Sequence, residues 1–389
     1  KTFSHDAQTT DSAPSMAAYT TGVKMNNEVI AMSSDTRAVA PSKDANGNKG
    51  INNCTSDNGS PVPTILELAK AAGKSVGAVT TTELTHATPA ATYSHICHRD
   101  AAYAIAEQAV PGGAGFNQAL GDGVDVLMGG GANHWTPYSA SNKGGRADGR
   151  DLTAELTARG YRYVTTKDEL SAVNSGKVLG LFSTKSHLDY ELDRVAKGAA
   201  STQPSLSEMT AKAIDLLSQN SQGYFLMVEG GRIDHALHAT NAKRSLTDAV
   251  ALDEAVKTAL GKVDLSDTLI VVTADHDHTM TINGYSAKGN KVLDLVKNAD
   301  GSTQNDADGK PFTTLVFGNG PNRQDQRPTL TSDEVMADDY LQETGVKLGS
   351  ETHGGGDVML FAGGAGSSQF KGTLDNTRVF GKLREALGL

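Results

Sequence analysis

Residues 268–279 read TLIVVTADHDHT. The first seven are apolar or β-branched, the pattern of a strand buried on both faces. The strand ends abruptly in Asp275, His276, Asp277 and His278. Charged and imidazole groups at the mouth of a hydrophobic strand cost several kcal/mol unless they are paired or bound to a metal. Asp275 and His276 make an oxygen–nitrogen pair suited to zinc, with Asp277 and His278 behind them as supporting groups. A solvated loop is the plain alternative. A buried strand with chemistry at its carboxyl end is the habit of α/β sheets, so the rest of the chain can be searched for the same arrangement.

Similar strand-like runs occur at 75–81 (SVGAVTT), 124–130 (VDVLMGG), 224–230 (YFLMVEG) and 357–364 (DVMLFAGG). Helical patterns lie between them, at 63–72, 88–110, 206–219, 240–260 and 379–387. The alternation predicts an α/β three-layer sandwich: a central, mostly parallel sheet between helices, in one domain spanning 1–389. Polar segments around 284–350 read as a loop-rich elaboration over the sheet edge.

The strand at 224–230 leads into EGGRIDHALH. Glu229 stands at the strand end. Asp234 and His238, spaced i and i+4, share one helix face, a sound geometry for two ligands of one divalent ion; a capping Asp and a surface His account for the spacing equally. The two glycines are read as room for a metal or phosphate to approach the backbone. The strand at 75–81 leads into ELTHATPAATYSHICHRD, with His86, Thr88 and Arg99. Arg99 has the chemistry of a bidentate phosphate clamp, or is an ordinary surface charge. ETHGGG brings His353 ahead of three glycines. Near the start, HDAQTTDSAPSMAAYTTGVK places Ser12 at a helix N-terminus, with Pro14 tolerated in the first turn. A hydroxyl there faces free N–H groups and the positive end of the dipole, which suits a phosphate and also a simple cap.

Composition sets bounds. Thirty-five basic and 45 acidic residues give a net charge of −10, which argues against a general nucleic-acid or anionic-membrane surface. An anionic substrate would need locally placed cations. No run of 18 apolar residues occurs, so no transmembrane helix is expected. The two cysteines, Cys54 and Cys97, fit one disulfide or two thiols.

Five motifs in one order (TTDSAPSMAAYTTGVK, TTELTHATPAATYSHICHR, VEGGRIDHALH, TADHDHT and ETHGGGDV) resemble the alkaline phosphatase family across nearly the whole chain. The resemblance implies a homodimeric phosphomonoesterase, periplasmic or secreted, with two zinc ions and one magnesium. It implies Ser12 as the nucleophile that becomes phosphoserine and Arg99 as the phosphate clamp. Asp234, His238 and His353 would hold one zinc. Asp275 and His276, with Ser12, would hold the second, and Glu229 and Thr88 the magnesium. His86 and His235 stand near the third metal, where some bacterial members have Asp and Lys. They would act there directly or through water, and zinc would then compete with magnesium. Export permits a Cys54–Cys97 disulfide. Small phosphate monoesters are the expected substrates. A diesterase or sulfatase of the same superfamily, or a non-catalytic metal-binding protein, are the alternatives. In the family a strand ending in an acid precedes the nucleophile, whereas eleven residues precede Ser12 here. The expectation is therefore that a further segment lies ahead of Lys1.

Overall fold

The computed structural model describes residues 1–389. Five parallel strands form the main sheet: Ser75–Glu83 (β1), Val126–Gly130 (β2), Arg162–Val164 (β3), Val178–Leu181 (β4) and Tyr224–Glu229 (β5). Their spatial order is β3-β4-β2-β1-β5. β1, β2 and β4 carry near-continuous apolar runs and are buried, as parallel strands covered on both faces must be. One side packs into a core around Leu66, Leu84, Tyr93, Leu127 and Trp135. The other packs into a core around Val79, Met128, Met209, Leu217 and Ala255, beneath helices Leu206–Leu217 and Ala242–Leu260.

Leu269–Thr273 (β6) pairs only with the antiparallel strand Leu360–Gly364. β5 likewise has a single partner, β1. Tyr224, at the start of β5, feels the charge of Asp267. Glu229, at its end, feels that of Asp275. β5 and β6 exchange no hydrogen bonds with one another, and both are half-buried.

Asp277–His278 (β7) pairs with His353–Gly354, matching His353 to His278. A Cβ at Gly354 would lie 2.7 Å from the His278 carbonyl oxygen, so glycine lets the two strands close. The elaboration around 284–350 is more ordered than its polarity predicts. Leu315–Gly320 joins Met280–Ile282 and Thr344–Lys347 in a three-stranded sheet.

One helix departs from expectation. The pattern over 88–110 resolves into Ala87–Tyr93 and Ala102–Gln108. The break pairs Ile96 with Ile30, ties Cys97 to Cys54 in a disulfide with Cα atoms 5.7 Å apart, and turns Arg99 toward the site. The cysteines stand 43 positions apart in the sequence, so in the chain-entropy view the bond contributes about 4 kcal/mol less any strain. A Cys54→Ser/Cys97→Ser variant is expected to unfold at clearly lower denaturant. An unchanged midpoint would show that the crosslink adds nothing.

Candidate active site

Helix Ser12–Thr21 begins at the N-cap Asp11, whose carboxylate accepts the Ala13 N–H at 2.6 Å. Asp11 also accepts from the Glu28 N–H and pairs with Arg99 at 3.1 Å. One side chain thus caps the helix and aims Arg99, a linking role with no signal in the sequence. Gly22 closes the helix with a left-handed φ of 76°. Ser12 Oγ lies 3.0 Å from His276 Nε2. Ser15 faces elsewhere and donates to the Asp275 carbonyl oxygen at 2.5 Å, which pins the loop after β6 to this helix.

The hydrogen bonds of the histidines fix which nitrogen carries the proton. His238 Nδ1 donates to the Glu351 carbonyl oxygen at 2.6 Å. His353 Nδ1 donates to the Thr10 carbonyl oxygen at 2.8 Å. Their Nε2 atoms are therefore left with lone pairs, and these face each other at 3.0 Å. Asp234 Oδ1 stands 3.3 Å from His238 Nε2 and 3.4 Å from His353 Nε2. Two lone pairs and a carboxylate converging this closely need a cation or a proton between them, and a backbone carbonyl behind each ring is the usual support of a metal ligand.

His278 differs. It donates through Nδ1 to Glu351 at 2.7 Å and through Nε2 to Asp234 at 2.9 Å. Two carboxylates outweigh its burial and raise its pKa to about 9. Its atoms fall within the cluster Asp234, His238, His278 and His353, yet as an imidazolium it orients Asp234 and offers no lone pair. Burial pushes the Asp234 carboxyl up, but the imidazoles of His238, His278 and His353 gathered around it prevail and hold it well below the usual carboxylate range.

This gives a pH prediction for the metal-free protein. The folded pKa of His278 is raised, so its stabilisation is complete below the unfolded value of about 6.5 and is lost as pH rises through about 9. With chelator present, stability is expected to fall by roughly 2 kcal/mol across that window. His278→Gln should flatten the profile, and an equal fall in both proteins would refute the assignment.

Glu229 ends β5 beneath three hydroxyls. Thr80 Oγ1 donates to it, Thr82 Oγ1 lies at 3.3 Å, and Thr88 adds a bond. Burial raises its pKa to about 7, with Asp275 adding to the rise. A buried carboxyl among hydroxyls, with no basic side chain paired to it, is an oxygen-rich setting that suits a hard cation. The glycines after it serve packing. A Cβ on Gly231 would meet Thr82 Cγ2 at 2.3 Å and the Glu229 carboxyl carbon at 2.8 Å.

Arg99 donates to His86 Nε2 at 3.1 Å, and Arg232 donates to His235 Nδ1 at 3.0 Å. Both rings stand beside His187, a residue absent from the motifs. Its one signal in the sequence is a position shortly after a strand. Glu28, His98 and Asp100 form a second close group. There Lys49 already pairs with Asp100 at 2.7 Å, and His98 Nδ1 accepts the Asp100 N–H. That cluster holds its own cation.

A serine at a helix start, an arginine aimed beside it and a cation-hungry Asp–His cluster define a metal-dependent hydrolase of α/β architecture. The family model for alkaline phosphatase matches residues 1–389. The tissue-nonspecific alkaline phosphatase isozyme of Gallus gallus is 38% identical over 391 residues, spanning 94% of this chain and 71% of that protein. The alkaline phosphatase of Gadus morhua is 38% identical over 389 residues, spanning 94% and 77%. The crystal structure of Thermus thermophilus alkaline phosphatase superposes with a TM-score of 0.71 at 28% identity, covering 100% of this chain and 81% of that one. The chain belongs to the alkaline phosphatase family. It is a phosphoric monoester hydrolase. No helix is long and apolar enough to cross a membrane.

Proposed function

We propose that the chain hydrolyses small phosphate monoesters through a phosphoserine at Ser12, with two zinc ions and one magnesium. The observation that carries this reading is the pair of Nε2 lone pairs of His238 and His353 facing each other 3.0 Å apart beside Asp234. Asp234, His238 and His353 would hold one zinc. Asp275, His276 and Ser12 would hold the other, and Glu229 with Thr88 the magnesium. Zinc bound there would lower the serine pKa and neutralise phosphate charge.

The chain's own groups supply the rest. Ser12 Oγ, positioned by the helix that Asp11 caps, attacks phosphorus in line with the leaving alcohol. The bond from phosphorus to the alcohol oxygen breaks, and the phosphoryl group passes to Ser12. Helix N–H groups and Arg99 face the non-reacting oxygens, over which the transition state spreads its charge. Water then attacks the phosphoserine, breaking its P–O bond and freeing inorganic phosphate. Asp11 keeps Arg99 aimed through both displacements.

The reading extends to a homodimer, periplasmic or secreted. The Cys54–Cys97 disulfide supports an oxidising compartment. Turnover of p-nitrophenyl phosphate, its bis-ester and the corresponding sulfate, with and without chelator, tests the reading. Monoester turnover lost to chelator and restored by zinc supports it. Preference for the bis-ester or the sulfate would replace it with a diesterase or sulfatase.

A further inference from the structure

Residues 28–31 hold two left-handed backbones outside glycine, Glu28 at φ 72° and Ala31 at φ 48°. Residues with side chains seldom adopt that region, and they keep it where surrounding contacts demand it. At Glu28 the demand is visible. Its N–H donates to Asp11 Oδ2, and its carbonyl oxygen accepts the Arg99 N–H at 2.8 Å. Arg99 Nη1 returns to Asp11 Oδ1 at 3.1 Å. These bonds close a ring that runs from the Asp11 carboxylate through the Glu28 and Arg99 backbones to the guanidinium and back. Changing φ at Glu28 rotates its N–H against its carbonyl, so an ordinary negative φ turns one of them away from its partner.

The Glu28 side chain takes no part in the ring. Its carboxylate is 41% exposed and stands 3.9 Å from His98 Nε2, too far for a hydrogen bond. Neighbouring residues brace the backbone instead. Asn27 Oδ1 accepts the Asp11 N–H at 3.2 Å, and the Asn27 N–H donates to Asp6 at 2.9 Å. Ile30 and Ile96 exchange both main-chain hydrogen bonds, at 2.9 and 3.0 Å. His95 Nδ1 donates to the Ala31 carbonyl oxygen at 2.7 Å, and the disulfide follows at Cys97.

An arginine side chain is long and free to turn, whereas a phosphate is gripped by its planar fork in one orientation. Asp11 offsets the charge of Arg99, so the ring supplies direction more than net charge. We propose that Glu28 is a positioning residue for the phosphate clamp: its left-handed backbone joins Asp11 to the main chain of Arg99 and so sets where the guanidinium meets the phosphoryl oxygens. The inference rests on the reading of Arg99 as that clamp.

Inorganic phosphate, competing with p-nitrophenyl phosphate on the metal-loaded protein, is the probe. It is to be measured in the parent and in an Arg99→Ala background, with thermal unfolding of every variant. Glu28→Gly keeps the N–H and the carbonyl and enters the left-handed region freely, so its inhibition constant should stay within about twofold of the parent. Glu28→Pro sets φ at about −65° and removes the N–H. It should raise the inhibition constant and KM roughly tenfold or more, since misplaced positioning groups cost up to about 100-fold. Glu28→Val keeps the N–H but resists the left-handed region. It should shift both constants the same way by less, and it decides the matter if the proline variant does not fold. In the Arg99→Ala background each change should move the inhibition constant by less than about twofold, because the group it aims is gone. A merely structural role would cost the same in both backgrounds.

Three results would each overturn the proposal. The first is parent-like inhibition in both Glu28→Pro and Glu28→Val, or in Glu28→Val where Glu28→Pro does not fold. The second is an equal loss with and without Arg99. The third is a loss in Glu28→Gly as large as in Glu28→Pro, which would place the effect in the carboxylate. Arg99→Ala binding phosphate as tightly as the parent would instead sink the clamp reading itself.

Discussion

Ser12→Ala is expected to abolish nearly all turnover while leaving the fold and the zinc content close to those of the parent. The hydroxyl contributes one hydrogen bond, to His276 Nε2 at 3.0 Å, so its removal disturbs little structure. The helix keeps its cap, because Asp11 and not Ser12 accepts the first free N–H. Without the oxygen no phosphoseryl group forms, and the loss should be roughly a thousandfold or more in kcat, as when other enzymes lose a covalent nucleophile. Ser15→Ala is the control. Its hydroxyl holds the Asp275 carbonyl oxygen and accepts from Asn376 at 3.3 Å, so that change should cost mainly stability. Kinetics on p-nitrophenyl phosphate, with zinc measured in each sample, separates the two. Were Ser15→Ala the more damaging to kcat, the nucleophile would have been misplaced.

The contrast between these serines marks how far a sequence can be read. Both lie in the same run of small residues, and only the geometry separates a hydroxyl facing His276 from one buried against the loop after β6. The strand ends are legible, because parallel strands of this type are continuous apolar runs and their terminal polar residues stand out. Glu229, Asp275 and His276 are visible in that way. The break within 88–110 is not legible. The stretch TYSHICH at residues 92–98 is only weakly helix-forming, but what sets the interruption is tertiary partners, Ile30 for Ile96 and Cys54 for Cys97. Glu351 opens ETHGGG, and nothing around it marks it as important. Its role exists only because β7 and His353–Gly354 pair, bringing its carboxylate to His278. His187 escapes notice because a lone histidine in a polar stretch carries no periodic signal. The roles of His238, His278 and His353 depend on which nitrogen each commits to a carbonyl or carboxylate, and spacing along the chain does not encode that.

Asp234→Ala should be the most damaging single change to metal retention. Asp234 is the only carboxylate shared by His238, His278 and His353, at 3.3, 2.9 and 3.4 Å. Its removal deletes one ligand of the proposed zinc and leaves the His278 imidazolium facing that site with its charge unopposed on that side. Changes to supporting groups around a metal typically cost 10–100-fold in affinity. The loss of a ligand that also cancels a neighbouring cation should exceed about 100-fold. Asp234→Asn keeps the volume and one acceptor oxygen but no charge, so it should fall between Ala and the parent. Replacing the supporting His278 by Gln should do less harm than either, because His238, His353 and the carboxylate remain. Zinc retained against a graded chelator series, read by elemental analysis, orders the variants. Asp234→Ala holding zinc as tightly as the parent would mean that the cation the two Nε2 lone pairs call for is a proton, and that the zinc lies elsewhere. A zinc loss in His278→Gln as large as in Asp234→Ala would instead make His278 a ligand and overturn the proton assignment drawn from its two carboxylate partners.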